Sequence, residues 1–444
     1  MSDFIERAKF SCALGGALTT IEGIPRAVPI VHAAGGCASA LSGTYNLAAG
    51  YRGIGYCGGN MIPTTNIAEN NVVFGGEDRL AEQIESTLKA LDADLYIVVS
   101  GCQVEIIGDD TVAVANRYRN RGVIGASTPG FSGNTYRGYD AIMTTLIDNI
   151  IEQSDEKEPA TVNILGVVPG HDVFFRGNLD ELRTLLASIG VKTNTFFGSG
   201  ESVAAIRKYG SAGLNIVFST QAGIDSAKAF ERRHGIPYIQ SEIPIGPGAT
   251  SAFLRQVADA LHLDRARVED VIARETRTYY SFLERIVDIY ADLDFQRWLI
   301  VSADSYYAHP LTRFLANDLG WLPFVTNVHD IDDEYDQARY DDLFKDIDSV
   351  RKPIVMFERN PSELVESVRR AWSDNHNEKY YNALTPAYVV GSVIERGLAE
   401  TLNAGFLSVA FPVSNRVILN KRIAGFNGAL TLVEDLITNL VSAR

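Results

Sequence analysis

Two short runs decide the fold of this 444-residue chain: Val28-Pro29-Ile30-Val31-His32-Ala33-Ala34-Gly35-Gly36-Cys37 and Leu95-Tyr96-Ile97-Val98-Val99-Ser100-Gly101-Cys102. Each reads as a buried strand that empties into a glycine turn with a thiol at its tip. All four cysteines, Cys12, Cys37, Cys57 and Cys102, lie between residues 12 and 102, and none follows. One cysteine alone would read as a small buried residue, because the free thiol is among the most buried side chains. Four in one stretch, two of them beside glycine at strand ends, read differently. Tips that meet at one sheet edge bring thiolates to one point, the arrangement in which soft sulfur ligands hold an iron–sulfur cluster. No C-x-x-C pair is present to suggest structural zinc. No signal peptide opens the chain, so a reducing cytoplasm is expected and disulfides are not.

Outward from this stretch, the β-α-β rhythm continues. A helix is expected over 13–22, a loop over 42–66 that contains Cys57, an amphipathic helix over 77–91 and a helix opening at Asp109 and Asp110. A turn-rich loop, Ser127 to Asn134, precedes a helix over 138–153. The charged segment Ser154 to Ala160 reads as a linker. A fresh alternation follows it, with strands at 161–168, 191–197, 214–218 and 237–240 and helices at 178–189, 201–208 and 222–234. Helices are expected over 249–262 and 265–293. A third alternation has strands at 297–302, 321–326, 353–357 and 406–411, helices at 308–318 and 427–441, and a helical region at 388–403. Alternation of this kind is the signature of parallel sheets covered on both faces. The expected fold class is therefore α/β, with three doubly wound, Rossmann-like domains in series at 1–155, 156–294 and 295–444.

Bulk properties narrow the function. The apolar fraction of 46% suits a soluble globular chain with ample core. No apolar stretch of about 18 residues occurs, so no membrane partner is expected. A net charge of −15 argues against nucleic acid, whose phosphates need a basic face. Gly198-Ser199-Gly200-Glu201-Ser202 follows a strand and superficially suits a phosphate, but it lacks a third fingerprint glycine and a Walker lysine, so it reads as a plain turn. The seven histidines show no H-E-x-x-H or H-x-x-x-H spacing. His32, five residues before Cys37, reads either as a hydrogen-bonding neighbour of the cluster or as a satisfied core histidine.

Several stretches resemble nitrogenase component 1 and its relatives. They are Pro29-Ile30-Val31-His32 leading to Cys37; Glu69-Asn70-Asn71-Val72-Val73-Phe74-Gly75-Gly76; Gly101-Cys102 followed by Ile106-Ile107-Gly108-Asp109-Asp110; Thr128-Pro129-Gly130-Phe131-Ser132-Gly133; Ile243-Pro244-Ile245-Gly246 with Ala249-Thr250; and Phe411-Pro412-Val413-Ser414-Asn415-Arg416-Val417-Ile418. They span nearly the whole chain. The resemblance implies three α/β domains and a place as a β-type subunit, since the cysteine by which α-type chains hold the catalytic metallocluster has no counterpart after Cys102. It implies an interfacial iron–sulfur cluster, P-cluster-like (8Fe-7S) or a 4Fe-4S centre, shared with an α-type partner in an α2β2 heterotetramer and fed by an ATP-dependent iron protein. Cys37 and Cys102 match the family's ligands. Cys12 and Cys57 stand as alternatives for the third, Cys12 by its separation from Cys37 and Cys57 by its place after the Gly-Cys motif.

Among family members, the short start and the departures around Cys57 resemble nitrogenase-like reductases such as methylthio-alkane reductase. That resemblance implies reductive carbon–sulfur cleavage on the partner's metallocluster. The alternatives are the β-type subunit of a vanadium or iron-only nitrogenase, and a non-catalytic scaffold for cofactor assembly.

Overall fold

The first sheet forms where the two apolar runs lie side by side. In the computed structural model, which describes residues 5–53, 55–56, 62–373 and 386–442, β1 (Ala27–His32) and β2 (Leu95–Ser100) pair in parallel, Ala27 opposite Leu95 and His32 opposite Ser100. β3 (Val123–Ala126) pairs with the other edge of β2. Every residue of β1 and β2 is buried, which is why neither run alternates polar with apolar.

Helices cover this sheet: α1 (Ala13–Gly23), α2 (Gly35–Ala48), α3 (Glu69–Phe74), α4 (Glu77–Ala90), α5 (Cys102–Ile107), α6 (Thr111–Asn116) and α7 (Thr135–Asn149). Glu77 and Asp78 sit in the first turn of α4 and Lys89 in its last, matching the helix dipole. Its Leu80 and Ile84 join Val28, Ile30, Val98 and Val114 in one core cluster, each such side chain contributing roughly 1.5–3 kcal/mol by leaving water. Asp110 caps α6, accepting from the Ala113 N–H at 2.8 Å. α1 and α7 cross with their backbones in contact. A Cβ on Gly16 would stand 2.0 Å from the Thr135 carbonyl oxygen, and one on Gly138 would stand 2.0 Å from that of Ala13.

A second parallel sheet has the order β5-β4-β6-β7, from β4 (Glu158–Leu165), β5 (Lys192–Asn194), β6 (Ala212–Val217) and β7 (Tyr238–Gln240). α8 (Phe175–Ser188) connects β4 to β5. The third, also parallel, has the order β10-β9-β8-β11-β12, from β8 (Trp298–Ala303), β9 (Leu322–Val328), β10 (Ile354–Met356), β11 (Ala387–Gly391) and β12 (Gly405–Ser408). A final helix runs from Gly425 to Ser442. By contacts, Phe10–Ser241 with Arg416–Leu419 form one unit, which holds the first two sheets. The other unit runs mainly from Glu242 to Asn415 and resumes at Asn420.

The sheets and their helices are those of the expected α/β, Rossmann-like class. Local departures have physical causes. The expected loop over 42–66 begins as helix, because α2 continues to Ala48 with Tyr45 fully buried; tertiary packing overrides the weak propensities of Ser42, Gly43 and Thr44. The expected helical region 388–403 opens instead with β11, between β8 and β12 in the sheet, and the helix is only Arg396–Thr401. A five-residue apolar run looks alike in a strand and in a buried helix. The stretch 265–293 breaks after Leu283 into a tighter turn before Val287–Asp292.

Candidate metallocluster site

Parallel pairing sends the carboxyl ends of β1 and β2 out at the same edge, and the Gly101 N–H extends the ladder by donating to the His32 carbonyl at 2.9 Å. Neither thiol sits on a loop tip as expected. Cys37 lies in the first turn of α2, and Cys102 is the first residue of α5. The chain turns into helix at once because the glycines leave room for the turn, and each cysteine is thereby held on a rigid element.

Cys12 reaches the same place from another direction. It precedes α1 as its cap residue. The Ala13 N–H donates to the Gly133 carbonyl at 2.9 Å, the Ser11 N–H donates to Thr135 Oγ1 at 2.8 Å, and Ser11 Oγ lies 2.9 Å from the Tyr45 hydroxyl. The glycine crossing of α1 on α7 sets how close this cap can come.

The convergence shows at Gly130. A Cβ placed there would stand 3.1 Å from Cys102 Sγ and 3.2 Å from Cys12 Sγ, so both sulfurs crowd one point that only glycine leaves open. Cys37 is within electrostatic reach of both: burial first, then the Cys12 and Cys102 thiols, push its thiol above the ordinary range, while a hydrogen bond from the Gln103 side chain pulls the other way. All three thiols are partly exposed. The structure thus brings Cys12, Cys37 and Cys102 together; Cys57 lies outside the described residues.

Surrounding groups fix the trio. Ser100 Oγ donates to Glu105, Ser127 Oγ donates to Glu105 Oε1 at 2.6 Å, and the Thr128 N–H donates to Ser100 Oγ at 2.9 Å, pinning the start of α5 to the loop that carries Gly130. His32 takes the core role. It is fully buried, with Nδ1 3.1 Å from Thr65 Oγ1 and Nε2 3.1 Å from Asp109 Oδ2, and burial holds its pKa below the ordinary value despite Asp109. Asp109 also accepts from the Gly76 N–H at 3.0 Å, tying α3 and its glycines to the turn after α5. Gln103, Glu105 and Gly130 were not singled out from sequence as site residues. Gln103 could have been, from its place beside Cys102, but nothing local marks Gly130 as the residue between two sulfurs.

These residues fit an iron–sulfur cluster. The Cys37 thiol, pushed up by burial and by the two thiols near it, resists ionising, and a polynuclear cation would supply the charge that favours its thiolate. Among the described residues no three His, Cys, Asp or Glu side chains, the cysteine trio included, close around the position of a single ion. Among the described residues Gln103 Oε1 is buried without a hydrogen-bond partner, a polar atom facing an incomplete environment. Large apolar side chains around the site stay in water: Val73 is 71% exposed, Phe74 85%, Ile106 75% and Phe131 65%. Exposed apolar groups in such a set mark a contact surface.

Comparison with known proteins identifies the family. The family model described as nitrogenase component 1 type oxidoreductase matches residues 12–441. The nitrogenase molybdenum-iron protein beta chain of Methanococcus maripaludis is 25% identical, over 97% of this chain and 93% of its own length. The nitrogenase iron-molybdenum cofactor biosynthesis protein NifE of the same species is 29% identical over 66% of this chain and 62% of its own. One of the subunits of the light-independent protochlorophyllide reductase of Gloeobacter violaceus is 26% identical over 85% of this chain and 72% of its own. Nitrogenase Cp1, solved at pH 6.5, shares the fold with a TM-score of 0.79 at 17% identity, over all of this chain and 94% of that one. This chain therefore belongs to the nitrogenase component 1 type oxidoreductase family, as an oxidoreductase subunit of the β-chain kind.

Proposed function

We propose that this chain is the β-type electron-relay subunit of a nitrogenase-like two-component reductase, holding an iron–sulfur cluster through Cys12, Cys37 and Cys102 at its contact face with an α-type partner. The observation behind this is the meeting of two sulfurs at Gly130 with the third thiol in electrostatic reach. A bound cluster, P-cluster-like or a 4Fe-4S centre, would supply reversible one-electron transfer. The chain's own residues do the rest. Three thiolates bind, Gln103 donates a hydrogen bond to the Cys37 sulfur, and the Ser100–Glu105–Ser127 group keeps Cys102 from swinging away. Val73, Phe74, Ile106 and Phe131 are placed to exclude water once a partner covers them.

We take the chain as three α/β domains divided near residues 155 and 294, assembled as a cytoplasmic α2β2 heterotetramer that an ATP-dependent iron protein serves. Among the described residues no helix is long and apolar enough to cross a membrane. For the reaction we carry forward reductive carbon–sulfur cleavage of methylthio-alkanes on the partner's metallocluster. A second reading, a cofactor-assembly scaffold, has the 29% identity with a cofactor biosynthesis protein behind it.

Anaerobic purification with the natural partners, iron quantification and redox-dependent EPR test this proposal. Cys12→Ala, Cys37→Ala and Cys102→Ala should each lose the cluster signal and most of the iron while the fold persists by circular dichroism, and Cys57→Ala tests the fourth thiol directly. Full iron in any variant removes that residue from the ligand set. A lone four-iron signal, with no second metallocluster in the partner, would favour the scaffold reading.

A further inference from the structure

The third sheet has the strand order in which a doubly wound fold takes its ligand. From β8 the chain builds outward through β9 and β10 on one side, then returns to add β11 and β12 on the other, so the order reverses between β8 and β11. At such a switch a crevice opens beyond the carboxyl ends of the two central strands. Here it lies between Ser302, near the end of β8, and Ser392, just past β11. A side chain of the same chain fills it.

That side chain is Lys9. Glu6, Arg7 and Ala8 before it are exposed, whereas Lys9 is 3% exposed, and its ammonium pairs with Glu395, itself 2% exposed. Lys9 Nζ also donates to Ser302 Oγ at 3.1 Å. The carboxylate divides its oxygens. Oε1 faces Lys9, while Oε2 accepts from the Ser392 N–H at 2.8 Å and the Ser392 hydroxyl at 2.7 Å. Asn327, near the end of β9, donates to Ser302 Oγ at 3.3 Å. A Cβ on Gly391 would stand 2.9 Å from Glu395 Oε2 and 3.1 Å from the Ser302 carbonyl oxygen, so the last residue of β11 leaves the room that the carboxylate needs.

A second tie holds the same arm. The Glu6 N–H donates to the Asn360 side-chain oxygen at 3.0 Å, beyond the end of β10, so the arm follows the carboxyl edge of the sheet to the crevice. Burying two charges is costly, and a pair of apolar side chains would close the same space without that cost. What the pair adds is selectivity. One carboxylate oxygen and one hydroxyl oxygen suit the compact, rotating donors of an ammonium, whereas a guanidinium is planar and broader. Among the described residues no three metal-ligating side chains gather there, too few for a metal ion.

We propose that the crevice between β8 and β11 is a primary-ammonium site whose resident ligand is the chain's own Lys9, so that the amino-terminal arm is a strap held in place by its own cation. Shortening the lysine opens the site to a free alkylammonium ion of matching length.

Lys9→Ala removes the atoms of propylammonium, which is therefore the probe. With the full chain in its native complex, Lys9→Ala should melt a few degrees below the parent, and propylammonium chloride up to roughly 50 mM should restore at least about half of that loss, saturably. Tetramethylammonium chloride, equal in charge but without an N–H, should restore none. Lys9→Met fills the space of the stem without the charge, so it should melt below the parent and gain nothing from the amine. Trypsin cleavage after Arg7 reads the strap. It should be at least about tenfold faster in Lys9→Ala and stay fast with propylammonium bound, because a free ion fills the crevice without holding the arm. Glu395→Gln, the milder change if Lys9→Ala does not fold, should speed the same cleavage and leave the rest of the tryptic pattern unchanged. Three results would each overturn the proposal: Lys9→Met melting with the parent, recovery by tetramethylammonium as good as by propylammonium or by neither, and cleavage after Arg7 at the parental rate in both Lys9→Ala and Glu395→Gln.

Discussion

Two parallel sheets in this chain end in opposite ways. At the carboxyl edge of β1 and β2 the chain offers three partly exposed thiols and a set of exposed apolar side chains. At the carboxyl edge of β8 and β9 polar groups are buried and satisfy one another. Ser305 donates through its N–H and its hydroxyl to the two oxygens of Asp330, both at 2.8 Å, and the Tyr340 hydroxyl donates to the Ser305 carbonyl at 2.8 Å. His309 is clamped beside them, Nδ1 2.7 Å from Glu242 and Nε2 2.8 Å from Asp346. At the second edge these named groups hold one another; the first edge presents partly exposed sulfur and exposed hydrocarbon. Equivalent places in a βαβ fold thus become structure or function according to whether the side chains there can saturate each other.

The largest test of this contrast attacks the frame of the open edge. Gly138→Val should destabilise the chain by about 3 kcal/mol, since the added carbon meets the Ala13 carbonyl of α1 at 2.0 Å and a backbone atom cannot step aside. It should also lower iron content, because Cys12 moves with α1. A melt and an iron assay measure both, and normal iron with a lowered melting temperature would separate the helix crossing from the site.

The closed edge should answer to pH. Burial lowers the His309 pKa, but hydrogen bonds to Asp346 and Glu242 outweigh it and raise the value from 6.5 to about 9. A raised folded-state value makes the clamp's contribution complete below about pH 6.5 and lost as pH rises through about 9. His309→Gln should therefore cost roughly 1–3 kcal/mol near pH 6, discounted for the partly exposed carboxylates, with the gap narrowing by pH 9.5. Thermal unfolding of both proteins across that range decides it; a gap independent of pH would mean that the imidazole acts by packing alone.

The smallest effect on stability belongs to the open edge. Phe74→Ser, at a side chain 85% exposed, should change the melt by no more than about 0.5 kcal/mol. It should nevertheless weaken association with the partner several-fold, read as a faster dissociation rate. Unchanged association would exclude Phe74 from the contact surface and leave its exposure unexplained.

Much of this was legible in the chain itself. The apolar runs ending in Gly-Cys, and the strand–helix alternation after residue 160, specify parallel sheets because burial on both faces demands continuous apolar strands and glycine where strand turns to helix. The clustering of cysteines before residue 103 named the region of the site for the same local reason. Contacts between distant residues decided the rest. Cys12 joins Cys102 only because two glycines, Gly16 and Gly138, let α1 and α7 touch backbone to backbone. β11 is a central strand only because β8 and β12 flank it, a pairing its five residues cannot announce. His309 finds carboxylates 67 and 37 positions away. Local pattern sets which face of an element is apolar; what meets that face, and which polar groups are left without partners, is settled when the elements pack.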